Sequence, residues 1–415
     1  MDIGAILKDL FSGVVYLFDP SGAGLKALVM FAIAGVLIYL AIKKDYEPTL
    51  LLPIGFGCIL ANLPPIMGQV LTESGALVEG PVASVLESGK GFLDVLFSAG
   101  IANELFPVLI FIAVGAMIDF SPLLKDPSMI FFGAAAQFGI FITFLLSLWL
   151  LPLIPGVITG DDPNLVIKLA SAIGIIGAAD GPTTLFVANH FELKDYMGPI
   201  SVAAYSYMAL VPVIQPPVIK ALTTRKERMI RMDYQEERCS KSTLILFPII
   251  VTVVAGIIVP MSAPLVGSLM FGNLIRECGV LERLSKTAQN ELANLVTIVL
   301  GITIGGTMVA DKFLDPTTIL ILLLGLFAFV FDTAGGVLFA KFLNIFRKKK
   351  INPMVGAAGI SAFPMSSRVI AKMALKEDPS NFILMQSTSA NVSGQLGSIV
   401  AGGMVITLVT MLIGG

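Results

Sequence analysis

The sequence predicts an all-α polytopic membrane protein with two inverted-topology repeats, whose interrupted or re-entrant helices meet at a midplane ion site. Three observations carry this: the composition, the placement of basic residues, and four local signals that recur in the same order. Of 415 residues, 56% are hydrophobic and only 13% charged, and the mean hydropathy is +0.89. A soluble domain has about a quarter of its residues charged. At roughly 20 apolar residues per spanning helix, the apolar content suffices for about nine or ten crossings. A net charge of -2 gives no nucleic-acid signature. Cys58, Cys239, Cys278 and the single histidine, His190, lie apart, which supports neither a disulfide framework nor a zinc or haem site. No Gly-x-Ser-x-Gly or phosphate-loop signature is present.

Met1 to Phe18 is apolar without a basic start, and reads as a short interfacial helix rather than a signal peptide. Apolar runs then fall near 25–42, 48–66, 106–122, 128–152, 198–219, 243–260, 292–310, 317–340 and 397–413. The stretches 264–275, 352–365, 165–189 and 381–395 are too short or too broken to cross alone. Basic residues gather at Lys43 and Lys44, in Lys220–Lys241 (including Arg225, Arg228, Arg231 and Arg238), and in Lys341–Lys350. The positive-inside rule puts these three places in the cytoplasm. Segment 67–104 carries Glu73, Glu79, Glu87, Asp94 and Glu104 against Lys90 alone, and belongs outside with the N-terminus. Segment 165–189 must then enter and leave on the same face. Gly174, Gly177, Gly181 and Pro182 interrupt it, and such backbone is tolerated at membrane depth only where it lines a cavity or is buried in protein.

Asn103-Glu104-Leu105 heads a span ending in Gly115-Ala116-Met117 and followed by Asp126-Pro127; Asn290-Glu291-Leu292 heads another with Gly306-Thr307-Met308, followed by Asp315-Pro316. Asp162-Pro163-Asn164 leads into Ala179-Asp180-Gly181, as Asp378-Pro379-Ser380-Asn381 leads into Ala390-Asn391. With the orientations above, the two copies are inverted, an architecture of secondary transporters. The expected organisation is an N-terminal segment at 1–99 with two spans and an outside loop, a first repeat at 100–222, a basic loop with connecting helices at 223–287, and a second repeat at 288–415.

Charged side chains at the bilayer centre are costly and therefore informative. Asp180, at a break between Gly177 and Gly181, can offer its carboxylate with free backbone carbonyls to a small hard cation; the bland reading is an ordinary turn. Its counterpart, Asn391, stands among Ser387, Thr388, Ser389, Ser393 and Gln395. One formal charge among neutral oxygens suits a monovalent ion better than calcium, although hydroxyls also pack helices closely. Asn352, Gly356 and Ser361 supply further oxygens, and Arg368 either binds a carboxylate or anchors at the lipid interface. Tyr205 or Tyr207, in an apolar run with Gln215, is a candidate proton donor or ion ligand. Asp332 is a secondary ion-path candidate. His190 reads as a solvated loop residue.

Gly174-Ile-Ile-Gly-Ala-Ala-Asp-Gly-Pro-Thr183, Val202 to Pro212 with Gln215-Pro-Pro217, Asn352 to Arg368, and Ala390-Asn-Val-Ser-Gly394 resemble the beta subunit of the sodium-pumping biotin-dependent decarboxylases, which serve oxaloacetate, methylmalonyl-CoA, glutaconyl-CoA or malonate. The similarity covers about residues 25–413. It implies a subunit of a bacterial inner (plasma) membrane that decarboxylates carboxybiotin and couples this to sodium ion export. The implied partners are a carboxyltransferase alpha subunit, a biotin carrier protein and a small gamma membrane subunit, with a homotrimeric state by analogy. Position by position, Asp180, Asn352, Gly356, Ser361 and Asn391 match residues implicated in sodium binding or transport. Tyr207 matches one linked to ion or proton handling, with Tyr205 left open by a one-residue spacing difference, and Arg368 matches the arginine of the same motif, as a ligand for carboxybiotin. No role is carried onto Asp332. The competing expectation is a sodium-coupled secondary carrier without decarboxylase chemistry.

Overall fold

A computed structural model describes residues 12–18, 22–45, 48–64, 66–71, 77–83, 91–154, 162–194, 196–232 and 239–414. Arg238, Glu73, Glu87, Lys90 and residues 1–11 of the expected interfacial helix lie outside them; Ser12–Leu17 is helical. Among the described residues, five helices are long and apolar enough to cross a membrane: Ala23–Lys44, Pro127–Leu153, Lys241–Ile258, Pro316–Phe346 and Leu384–Ile413; two bent pairs raise the number to seven. The chain is thus a multi-pass, predominantly helical membrane protein. Fewer continuous spans exist than apolar runs because several runs are broken, as where Met197–Ala209 and Val211–Leu222 meet at 68°. One antiparallel hairpin, Ile66–Leu71 with Leu77–Ala83, occupies part of the stretch expected as an outside loop, with Gly68 opposite Gly80.

Two compact units divide the chain: Met1–Leu105 with Leu295–Ile319, and Phe106–Asn294 with Leu320–Gly415. In the first, Asn62 donates to the carbonyls of Cys58 (2.8 Å) and Met308 (2.7 Å) and accepts from the Ala310 amide at 2.9 Å. One buried amide thereby closes two turns that would otherwise leave backbone groups unpaired.

The second unit holds every candidate residue. Three of its helices start where a side chain supplies an acceptor for a free amide: Ser240 caps Lys241–Ile258, Asp180 caps Gly181–His190, and Asn352 caps Pro353–Ala357. Leu165–Ile176 ends at a break through Gly177–Asp180, as expected of 165–189. The second break differs from expectation. From Leu384 on, the 381–395 stretch is not an interrupted element but the start of a continuous 30-residue helix, Leu384–Ile413. No proline interrupts this helix, and two of its hydroxyls bond back to its own carbonyls, Ser393 to Ala390 at 2.7 Å and Ser398 to Gln395 at 3.1 Å. The interruption lies instead between Pro353–Ala357 and Met365–Glu377, at Ala358–Pro364.

Candidate functional site

The two breaks meet. The Ser361 amide donates to the Ala178 carbonyl at 2.9 Å, which brings the loop before Met365–Glu377 against the loop before Gly181–His190. Ala179, fully buried, holds a left-handed φ of 54°, a conformation that costs a non-glycine residue about 1–2 kcal/mol. Strain of this kind persists where surrounding contacts over-determine it and clusters at functional sites.

Asp180 follows directly and is 2% exposed. Its Oδ1 accepts from the Thr183 amide at 3.1 Å, and its Oδ2 accepts from the hydroxyls of Thr183 (2.7 Å), Ser361 (3.1 Å) and Ser398 (2.6 Å). Among the described residues no cation pairs with it. A buried carboxylate without a counter-charge is expensive, and hydroxyls relieve only part of that cost. A hydroxyl also has lone pairs, so Thr183, Ser361 and Ser398 can turn their oxygens toward a cation arriving at Asp180. The donor set therefore fits a small monovalent cation or a proton.

Asn391 stands beside this cluster. Its amide nitrogen donates to the Ile360 carbonyl at 2.7 Å, and its Oδ1 is buried without a partner. Tyr205 packs its ring on the backbone of Gly181, where a β-carbon would stand 2.7 Å from Tyr205 Cε2; its buried hydroxyl has no partner. Tyr207 is turned away and donates to the Leu322 carbonyl. Gln215 braces the second break, donating to Ala357 O at 2.9 Å and accepting from Ser366 Oγ at 3.0 Å.

Other candidates stand elsewhere. Gly356 is a point of backbone contact with Gly336 rather than an open carbonyl site. Arg368 is exposed, one turn inside Met365–Glu377, and about 13 Å from its Glu377 end at 1.5 Å per residue. Asp332 is fully buried against Gly139, and neither of its carboxyl oxygens has a well-directed hydrogen bond.

Asn352 fastens a strap. Its Nδ2 donates to the carbonyls of Arg228 (2.8 Å) and Ile230 (2.9 Å), and Asn381 Nδ2 reaches the same two oxygens at 3.1 and 3.3 Å. Arg228 pairs with Glu377 at 2.9 Å, and Arg231 forks onto Asp378 at 2.7 and 3.1 Å. Arg231 and the Ser380 amide hold the Asp378 carboxyl below its ordinary value, so this contact persists at neutral pH and is lost only as pH falls through that depressed value, below about 4. A spin label at exposed Lys226 is expected to gain mobility in wild type only in that acid range. In Asn352→Ala it gains mobility already at pH 7; unchanged spectra in the variant would remove Asn352 from the strap.

Next to the strap opens a cavity of about 580 Å³, lined by Lys125, Arg231, Arg347, Lys349 and Lys350 against Asp126, with Ser389 in its wall. Its charge favours an anion.

Thr183 was inside the motif read from sequence but carried no role there, and Ser398 was missed altogether: one serine in the apolar run 397–413 gives no local signal that it faces a carboxylate 218 residues away.

A sequence model of the family described as Na+-transporting oxaloacetate decarboxylase beta subunit matches residues 26–409. The methylmalonyl-CoA decarboxylase subunit beta of Propionigenium modestum is 47% identical over 396 residues, covering 93% of this chain and 96% of that protein. The oxaloacetate decarboxylase beta chain of Klebsiella pneumoniae is 45% identical over 426 residues, covering 94% and 96%, and the methylmalonyl-CoA decarboxylase subunit beta of Veillonella parvula is 44% identical over 382 residues, covering 92% and 93%. The chain belongs to the Na+-transporting oxaloacetate decarboxylase beta subunit family, membrane subunits that couple decarboxylation to sodium export.

Proposed function

We propose that this chain decarboxylates carboxybiotin and exports sodium through the Asp180 cluster, in a bacterial inner membrane and in complex with a carboxyltransferase alpha subunit, a biotin carrier protein and a small gamma subunit. A homotrimer is part of the proposal. The observation that carries it is a buried carboxylate supplied only with hydroxyl and amide partners, at the meeting of two interrupted helices. Such a group takes either a proton or a sodium ion, and exchanging one for the other is a coupling device. Asp180 and Ser361, with Asn391 beside them, bind the ion. Gly356 and Asn352 support this arrangement, the first through helix contact and the second through the strap. The repeats at 100–222 and 288–415 are proposed to be the inverted halves that shift against each other.

The anionic carboxybiotin approaches the basic, cytoplasmic end, with its carboxylate directed to Arg368, a cation outside the described ion pairs. Sodium binding at Asp180 expels a proton. As the bond between the ureido nitrogen and the carboxyl carbon breaks and carbon dioxide leaves, that nitrogen takes up the proton, a general-acid step. Tyr205, packed on Gly181, is placed to pass it; Tyr207, committed to Leu322, has a ready proton only if that bond opens. Exporting one charge against the membrane potential costs about 2.3 kcal/mol per 100 mV, so each turnover supports only a few ions.

The test is the reconstituted complex in proteoliposomes, with carboxybiotin turnover and radioactive sodium uptake followed together. Coupled turnover and uptake, each requiring the other, is the expected result. Sodium flux driven by an ion gradient alone, with no carboxybiotin turnover, would identify a plain carrier.

A further inference from the structure

A second cavity, of about 630 Å³, adjoins the one beside the strap and shares Ile230, Arg347 and Lys350 with it; Lys226, Glu227, Lys341 and Ile345 line the second alone. Its charges do not balance. Lys341 pairs with Glu227 at 3.1 Å, and that carboxylate also accepts from the amide and hydroxyl of Thr224 at 2.7 and 2.9 Å. Lys226, Arg347 and Lys350 are exposed and form no ion pair among the described residues; Arg347 donates to the neutral hydroxyl of Ser128 at 3.2 Å. Three like charges around one space repel each other, and an anion among them turns that repulsion into attraction.

The apolar side of the cavity points to what carries the anion. Leu338, Phe342 and Ile345 follow at spacings of four and three residues on Pro316–Phe346, and they are 51%, 54% and 74% exposed. They form one outward stripe on a helix long enough to cross a membrane, and its last member is also in the cavity wall. An acyl chain lying along the stripe climbs about 10 Å from Leu338 to Ile345 and delivers its headgroup to the three cations. A soluble anion would use the cations and leave the stripe idle.

We propose that this cavity binds the phosphate headgroup of an anionic phospholipid, held by Lys226, Arg347 and Lys350, with an acyl chain on Leu338, Phe342 and Ile345. The positive-inside rule puts this end of the helix in the cytoplasm, where basic pockets at helix ends bind such headgroups. Lys226 belongs to the strap, and Arg347 and Lys350 follow the spanning helix. The phosphate therefore ties one to the other, a link that neither Asn352 nor Asn381 supplies.

The test is native mass spectrometry of the lipid kept by the whole complex after extraction from vesicles of phosphatidylcholine and phosphatidylglycerol in equal amounts. The wild type is expected to keep phosphatidylglycerol in preference. Lys226→Gln, at a residue that lines this cavity alone, is expected to weaken that retention about fivefold, the effect of one basic residue near an anionic lipid; adding Lys350→Gln weakens it further. Lys226→Arg keeps the charge and should retain the lipid, which separates a lost cation from a damaged strap. Lys125→Gln, in the wall of the first cavity alone, should also behave as wild type. Equal retention of the two lipids by the wild type, or unchanged preference in both glutamine variants, would mean annular lipid only and overturn the proposal. Release of phosphatidylglycerol by inorganic phosphate would make this a site for a soluble anion. Normal lipid retention in Lys226→Gln, with a raised half-saturating carboxybiotin concentration, would give the cavity to the reactant; either result overturns the lipid site.

Discussion

Asp180→Asn abolishes sodium-dependent decarboxylation and sodium uptake together, while the variant still assembles. The substitution keeps the shape and one acceptor oxygen, so the Thr183, Ser361 and Ser398 hydroxyls retain a partner, but the negative charge is gone. A cation moved into a buried site without its counter-charge meets an uncompensated desolvation cost on the order of 3–5 kcal/mol, a loss of more than about 100-fold in affinity. With Asp180 carrying a proton when no sodium is bound, the neutral amide removes no charge that the fold relies on, so thermal stability in sodium-free detergent should stay near that of the wild type. The measurement is turnover against sodium concentration, with uptake followed in the same vesicles. Persistence of both at ordinary sodium concentrations would place the ion elsewhere.

Gly356→Ala is expected to destabilise the protein by about 3 kcal/mol, the upper end for a group forced into a full interior. A β-carbon at Gly356 would stand 2.6 Å from the Gly336 carbonyl carbon and 3.2 Å from Ala340 Cβ, and a β-carbon at Gly336 would meet the Gly356 carbonyl carbon at 2.6 Å. Backbone rather than a flexible side chain is in the way, so the Pro316–Phe346 helix must move as a whole. Small residues at such crossings are what let membrane helices approach closely. The damage should appear as a lowered melting temperature that excess sodium does not restore. A variant that melts normally would show that the two helices do not meet as closely as this at Gly356.

Much of this was legible in the chain itself. Asp180 stood out because a carboxylate between glycines in an apolar stretch has few structural excuses, and the break at Gly177–Asp180 follows from residues that cannot continue a helix. Asn391 was legible as polar but not in its setting: a hydroxyl-rich segment reads as an interruption, whereas it lies within one continuous helix whose Ser393 and Ser398 hydroxyls bond back to its own carbonyls. Asn352, read as an oxygen donor, spends its amide on two strap carbonyls, a contact that spans more than 120 residues. Ser398 was invisible for the same reason.

The sequence by itself determined the solvent this protein lives in, the apolar runs from which its long helices are built, the first break and the charge that makes the site expensive, because these depend on composition and on neighbours a few residues apart. Only the tertiary structure decided which hydroxyls surround Asp180, which tyrosine lies against Gly181, where the second break falls, and that Gly356 is a helix crossing. Those outcomes depend on close packing and hydrogen bonding between segments far apart in the chain, where a single missing β-carbon or one fixed amide settles which groups meet.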